Sequence, residues 1–109
     1  MPIRTAPALE RNVVNLPMQP VVLAAGQVQD VLPDVRATTQ DEVVYREVCN
    51  VGNANAYFAL GRTADPQGNY NGILVPYQAY SVGSLERVSV YSPAGTTIAL
   101  TILVRKNDQ

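Results

Sequence analysis

Catalysis near neutral pH usually draws on a histidine, a carboxylate pair or an activated thiol, and this chain offers little of each. It has no histidine and one cysteine, Cys49. Without imidazole the commonest general base is gone, and neither a Ser-His-Asp nor a Cys-His arrangement can be assembled. One thiol alone also excludes zinc and iron–sulfur ligation. Cys49 reads as a small buried apolar residue, with an intermolecular bridge as the other option. Asp30 and Asp34 lie close in sequence, as do Asp41 and Glu42. A glycosidase would need such a pair across a cleft, which a domain of this size rarely supplies. Solvated turn and strand-end acids are the simpler reading. The run from Asp65 to Asn71 (DPQGNYN) sets oxygens at alternate positions, but its single acid is too little for a hard cation. An Asx-stabilised turn is expected there. No glycine-rich loop enters a helix, which excludes a phosphate cradle. The expectation is a non-enzyme with no cofactor, metal or small-molecule substrate.

The remaining chemistry is that of contact. Six tyrosines stand against one phenylalanine and no tryptophan. Tyr57, Tyr70, Tyr77, Tyr80 and Tyr91 fall in the second half, several beside loops. A rigid ring with a polar tip suits the edge of a core, a subunit contact or a sugar platform. Those three readings stay open at this point.

The 109 residues suit one domain, and 47% hydrophobic content favours a folded chain over a disordered one. Charged residues make up only 16%, and a charge-poor surface suits an oligomer or a larger assembly. Eight basic and nine acidic residues are spread along the chain, so no basic field exists to hold nucleic acid. Lys106 is the only lysine, and arginine's planar fork favours fixed interface pairs. Residues 1–20 lack a continuous apolar signal region, and no apolar run is long enough for a membrane span.

These residues need elements to position them. Pro2, Pro7, Pro17 and Pro20 punctuate the first twenty residues and discourage helix. Leu9, Val13, Val14, Leu16 and Met18 lie between them, too apolar for a free linker. An extended N-terminal arm over residues 1–20 is expected, lying on a partner, or else a first edge strand. Ile3, Arg4 and Arg11 join those five as candidate arm contacts. From Val21 onward, short apolar runs alternate with turn signals, the pattern of a sandwich or barrel. Strands are expected at 21–24, 28–32, 42–50, 56–60, 73–75, 80–82, 87–92 and 96–105. Strand 42–50 reads as near an edge or an interface, because neither of its faces is purely apolar. It should form a hairpin with 56–60 through the turn 51–55. In TTIALTILVR, Ile98, Leu100, Ile102 and Val104 share one face, and its period of two argues strand strongly. With 87–92 it should make a final hairpin at the spine of the core. No segment shows a convincing helical period. The class is therefore all-β, a single antiparallel sandwich over residues 21–109 behind the arm.

The order of elements from Glu42 to Lys106 resembles small β-sandwich proteins of tailed-phage virions. The likeness rests on Asn50-Val51-Gly52-Asn53, Ala56-Tyr57-Phe58-Ala59-Leu60-Gly61, Gly72-Ile73-Leu74-Val75-Pro76, Val88-Ser89-Val90 and the run from Thr97 to Val104. It is a pattern of turns and strands. The resemblance implies a jelly-roll-like capsid decoration, or cement, protein. Such a protein would sit on the outside of the virion head as a homo-dimer or homo-trimer and bind the major capsid protein. The arm, with Tyr70, Tyr77 and Tyr80, would then be its contact set. A carbohydrate-binding or host-adhesion module, as in a tail, fibre or head-spike adaptor, is the alternative.

Overall fold

The computed structural model of the chain describes residues 13–34, 42–65 and 67–105. The described residues are all-β, with nine strands and no helix. The strands are β1 (Val13–Leu16), β2 (Val21–Leu23), β3 (Gln27–Leu32), β4 (Glu42–Asn50), β5 (Ala56–Leu60), β6 (Gly72–Leu74), β7 (Ala79–Ser81), β8 (Val88–Ser92) and β9 (Thr96–Arg105). Sheet A has the order β1-β9-β4-β7, with β2 also paired to β9; sheet B has the order β3-β8-β5-β6. Every pairing is antiparallel.

The wiring follows one rule. β2 pairs β9, β3 pairs β8, β4 pairs β7 and β5 pairs β6, so the chain forms one long hairpin of strand pairs. Rolling that hairpin up brings β4 beside β9 and β5 beside β8, which closes the two sheets. This is a jelly roll, the all-β sandwich expected from the sequence. Successive strands from β2 to β5, and from β6 to β9, alternate between sheets.

Two expected hairpins are therefore corrected. β4 and β5 do not pair, nor do β8 and β9; each turn carries the chain from one sheet to the other. β8 and β9 still lie inside their own sheets, which is why both carry the most apolar inner faces. β4 is likewise no edge, since it lies between β9 and β7.

The core lies between the sheets. Ile98, Ile102 and Val104 from β9 meet Val88, Val90, Phe58 and Leu74 from sheet B. Each such side chain is worth roughly 1.5–3 kcal/mol before ordering entropy is subtracted. Gly72 sits opposite Phe58 in register, and a Cβ there would come within 2.8 Å of the Phe58 ring. Glycine at this point makes the seat for that ring. A bulge between Val43 and Tyr45 resets the face alternation of β4. Val43 then packs on the core while Val44 is turned outward. Cys49, expected inside, is half-buried, in register with Ala79 and Ala99.

The segment read as an arm is partly strand. Val13–Leu16 pairs with Ile102–Arg105 of β9, and Leu16 packs on the core. This is the edge-strand alternative for those four residues. Ile3, Arg4, Leu9 and Arg11 lie outside the described residues.

Candidate interaction surface

Antiparallel wiring sends four turns to one end of the sandwich: 24–26, 51–55, 75–78 and 93–95. Asn50 ties this end together from its buried position at the end of β4. Its Nδ2 donates to the carbonyls of Ala54 (2.7 Å) and Leu74 (2.8 Å). Its Oδ1 accepts from Gly52 N (3.1 Å) and from the Thr96 hydroxyl (2.8 Å). One amide thus joins the β4–β5 turn to β6 and β9, with all four of its hydrogen-bonding positions used. The crossing of Asn50-Val51-Gly52 between sheets follows from those bonds. Gly52 presses on β9 so closely that a Cβ would fall 2.0 Å from Thr96 Oγ1. Ser92 does a similar service for the last turn. Its hydroxyl donates to Asn55 O (2.8 Å) and accepts from Gly95 N (3.1 Å).

On this frame sits Tyr77. Gln78 N donates to Val75 O at 3.0 Å, with Pro76 second and Tyr77 third in the turn. Tyr77 has φ of 68°, the left-handed value that a type II turn demands at its third position and that Gly or Asn usually fills. Its side chain is 75% exposed. Val51 and Val75, on two of the four turns, are 40% and 47% exposed, and Val22 beside them on β2 is 74% exposed.

Among the described residues, this end carries no charge. No Asp, Glu, Lys or Arg occurs at residues 12–29, 48–61, 66–85 or 88–104. Each stretch runs up a strand, through a turn at this end and back down. Among the described residues, the ion pairs lie towards the opposite end. There Arg87 pairs with Asp30 and Arg105 with Glu42, each at 2.7 Å. Arg46, buried among loops, donates to the carbonyls of Pro33 (2.9 Å), Ser84 (2.6 Å) and Glu86 (2.6 Å). Burial lowers its pKa from the ordinary arginine value, while the charge of Asp34 pulls it back up. Among the described residues, charges that look evenly spread along the sequence are thus kept off this end.

Among the described residues, the expected contact residues do not converge. Tyr77 lies at the tip of the uncharged end. Tyr70 packs edge-on against Tyr57, ring centroids 4.9 Å apart, over the outer face of sheet B. Tyr80 packs its ring on Phe58 at 4.5 Å, partly buried against the core. Val13, Val14 and Leu16 lie on the β1 edge of sheet A, and Met18 follows in the link to β2. Asp65 holds an Asx turn, accepting from Gln67 N at 3.0 Å. Among the described residues no group of three or more Cys, Asp or Glu is placed to hold a metal ion. No described helix is long and apolar enough to cross a membrane.

Sequence reasoning missed Val22, Val51 and Val75, and it missed a row of outward residues across sheet B. Register sets Val28, Tyr91, Tyr57 and Ile73 side by side on that outer face. The legible signal was the gaps between charges. Comparison with known proteins finds no match: no family model, no curated protein and no solved structure resembles this chain closely enough to assign it to a family.

Proposed function

We propose that the protein is a non-enzymatic virion structural protein, a decoration or cement protein that binds the outside of a capsid and stabilises the major capsid lattice. The observation that carries this reading is the charge-free end with Tyr77 at its tip. Docking such a surface strips water from no ion, so the desolvation cost that opposes burial of charge is absent. The exposed valines and an aromatic anchor supply the apolar contact that concentrates binding energy at interface centres. Backbone turns and neutral side chains supply hydrogen bonds around it. A site of this size on one copy is weak, but a lattice repeats it, and linked copies gain strength by multivalency. A homo-dimer or homo-trimer on the capsid exterior would use that gain.

The jelly-roll fold hosts capsid and lectin domains alike, so fold does not decide between them. The carbohydrate or host-adhesion reading draws less support from the geometry. Tyr70 and Tyr77, on which it would rest, stand on different surfaces and cannot form one platform.

Co-sedimentation tests the proposal. Shells of the major capsid protein of the virion it decorates should carry it into the pellet at a fixed, saturable ratio. Decorated shells should also melt at a higher temperature than bare ones. Absence from the pellet at saturating protein would overturn it.

A further inference from the structure

We propose that the outer face of sheet B, on the flank of the sandwich, carries a binding site for a neutral oligosaccharide. Register places Val28, Tyr91, Tyr57 and Ile73 in one row across its four strands. Tyr70 joins the row by packing edge-on against Tyr57, with ring centroids 4.9 Å apart. Tyr57 and Tyr91 lie 6.4 Å apart, their planes 53° from each other. All three rings are partly exposed, and Val28 and Ile73 flank them at 43% and 41% exposure. Tyr45 is the one tyrosine whose hydroxyl bonds to another described residue. Among the described residues, the hydroxyls of Tyr57, Tyr70 and Tyr91 are therefore open to a ligand.

Size and charge select the occupant. Strands about 4.8 Å apart make the row about 14 Å long, and one same-face repeat makes it about 7 Å wide. Towards the charged end it stops where the 63–64 segment crosses the sheet. There Ala64 N donates to the Ser89 hydroxyl at 2.9 Å, and Ser89 and Ala64 are 0% and 4% exposed. Towards the other end it meets the turns 51–55 and 93–95. A strip of about 100 Å² is far below the ~800 Å² that each partner gives to a stable protein interface. It does fit a short chain of sugar rings, whose C–H faces stack on the electron-rich faces of tyrosine while their hydroxyls meet the phenol tips. The row itself holds no charged side chain. Asp30 and Arg87 below it neutralise each other at 2.7 Å, and Arg62 is held by Asn69. A uronate, sialate or sulfate would gain nothing here over a neutral sugar.

A glycan array probed with the full chain tests this without reference to what the uncharged end binds. The array should carry neutral glycans, among them maltohexaose, cellohexaose and chitohexaose, beside sialylated and sulfated ones. Binding should fall on neutral glycans, and titration with the hexasaccharide that binds should saturate. Tyr70→Ala in the loop and Ile73→Glu on the open edge should keep their β-sheet circular dichroism and weaken that binding by about tenfold or more. Tyr70→Phe, which keeps the ring, should lose less. Tyr77→Gly should bind the hexasaccharide as wild type does, and Tyr70→Ala should still co-sediment with capsid shells, so failure of one site is not failure of the other. No binding to any neutral glycan would overturn the inference, as would a preference for acidic ones or a Tyr70→Ala protein that binds like wild type. An oligomer that Ile73→Glu dissociates would overturn it too, by showing that protein covers the strip.

Discussion

At the scale of single residues, the uncharged end depends on one amide. Replacing Asn50 by Ala would leave the Ala54 and Leu74 carbonyls and the Thr96 hydroxyl without their partner. Orphaned buried groups cost about 1–3 kcal/mol each, so a loss of about 3 kcal/mol or more is expected, read as a fall in the denaturant midpoint. Arg46 plays the matching part at the charged end. Lysine carries no planar fork, so Arg46→Lys cannot reach the carbonyls of Pro33, Ser84 and Glu86 together. The expected cost is about 2 kcal/mol, with unfolding measured in the same way. Tyr77 should behave in the opposite sense. A non-glycine residue in the left-handed region costs about 1 kcal/mol, so Tyr77→Gly should raise the midpoint while weakening capsid binding. A rise in both stability and binding would show that the ring is not an anchor. None of these roles could be read from residue type. Asn50 in an Asn-x-Gly context looks like an ordinary turn residue, and Arg46 looks like a solvated one.

Among the elements, those with a regular period were legible and those defined by their partner were not. The alternation of β9 placed Ile98, Leu100, Ile102 and Val104 on one face; the structure buries Ile98, Ile102 and Val104 and packs a partly buried Leu100 against the core. Proline and glycine located most turns. What local sequence does not carry is which sheet a strand joins after its turn. Short turns at 51–55 and 93–95 look like hairpin loops, yet side-chain bonds from Asn50 and Ser92 pull each across the sandwich. The bulge in β4 is equally silent, because one inserted residue changes no composition. Gly52 offers a test at this scale: Gly52→Ala should push the turn off β9 and lower stability by about 2 kcal/mol, since the added carbon has no room. β1 offers a second. Removing Val13–Leu16 would uncover the Ile102–Arg105 edge of β9, and the truncated protein should be less stable and more prone to strand-edge aggregation in light scattering.

At the scale of the whole fold, the described residues form two unlike ends joined by a packed sandwich. One end holds the partly exposed ion pairs and the buried Arg46. The other holds tight, mutually bonded turns, exposed valines and a tyrosine in a costly conformation. That division was present in the sequence as four charge-free stretches. It gained meaning only when the jelly-roll wiring brought their midpoints together. Paired charge insertion on the full-length protein is the most direct measurement of the account. Val75→Glu at the uncharged end and Leu85→Glu at the charged end each add one acid at an exposed valine or leucine, and both should fold with wild-type melting temperatures. Co-sedimentation with capsid shells should then lose Val75→Glu and keep Leu85→Glu. Equal binding of the two variants, or loss of Leu85→Glu alone, would contradict the claim that the neutral end is the docking surface.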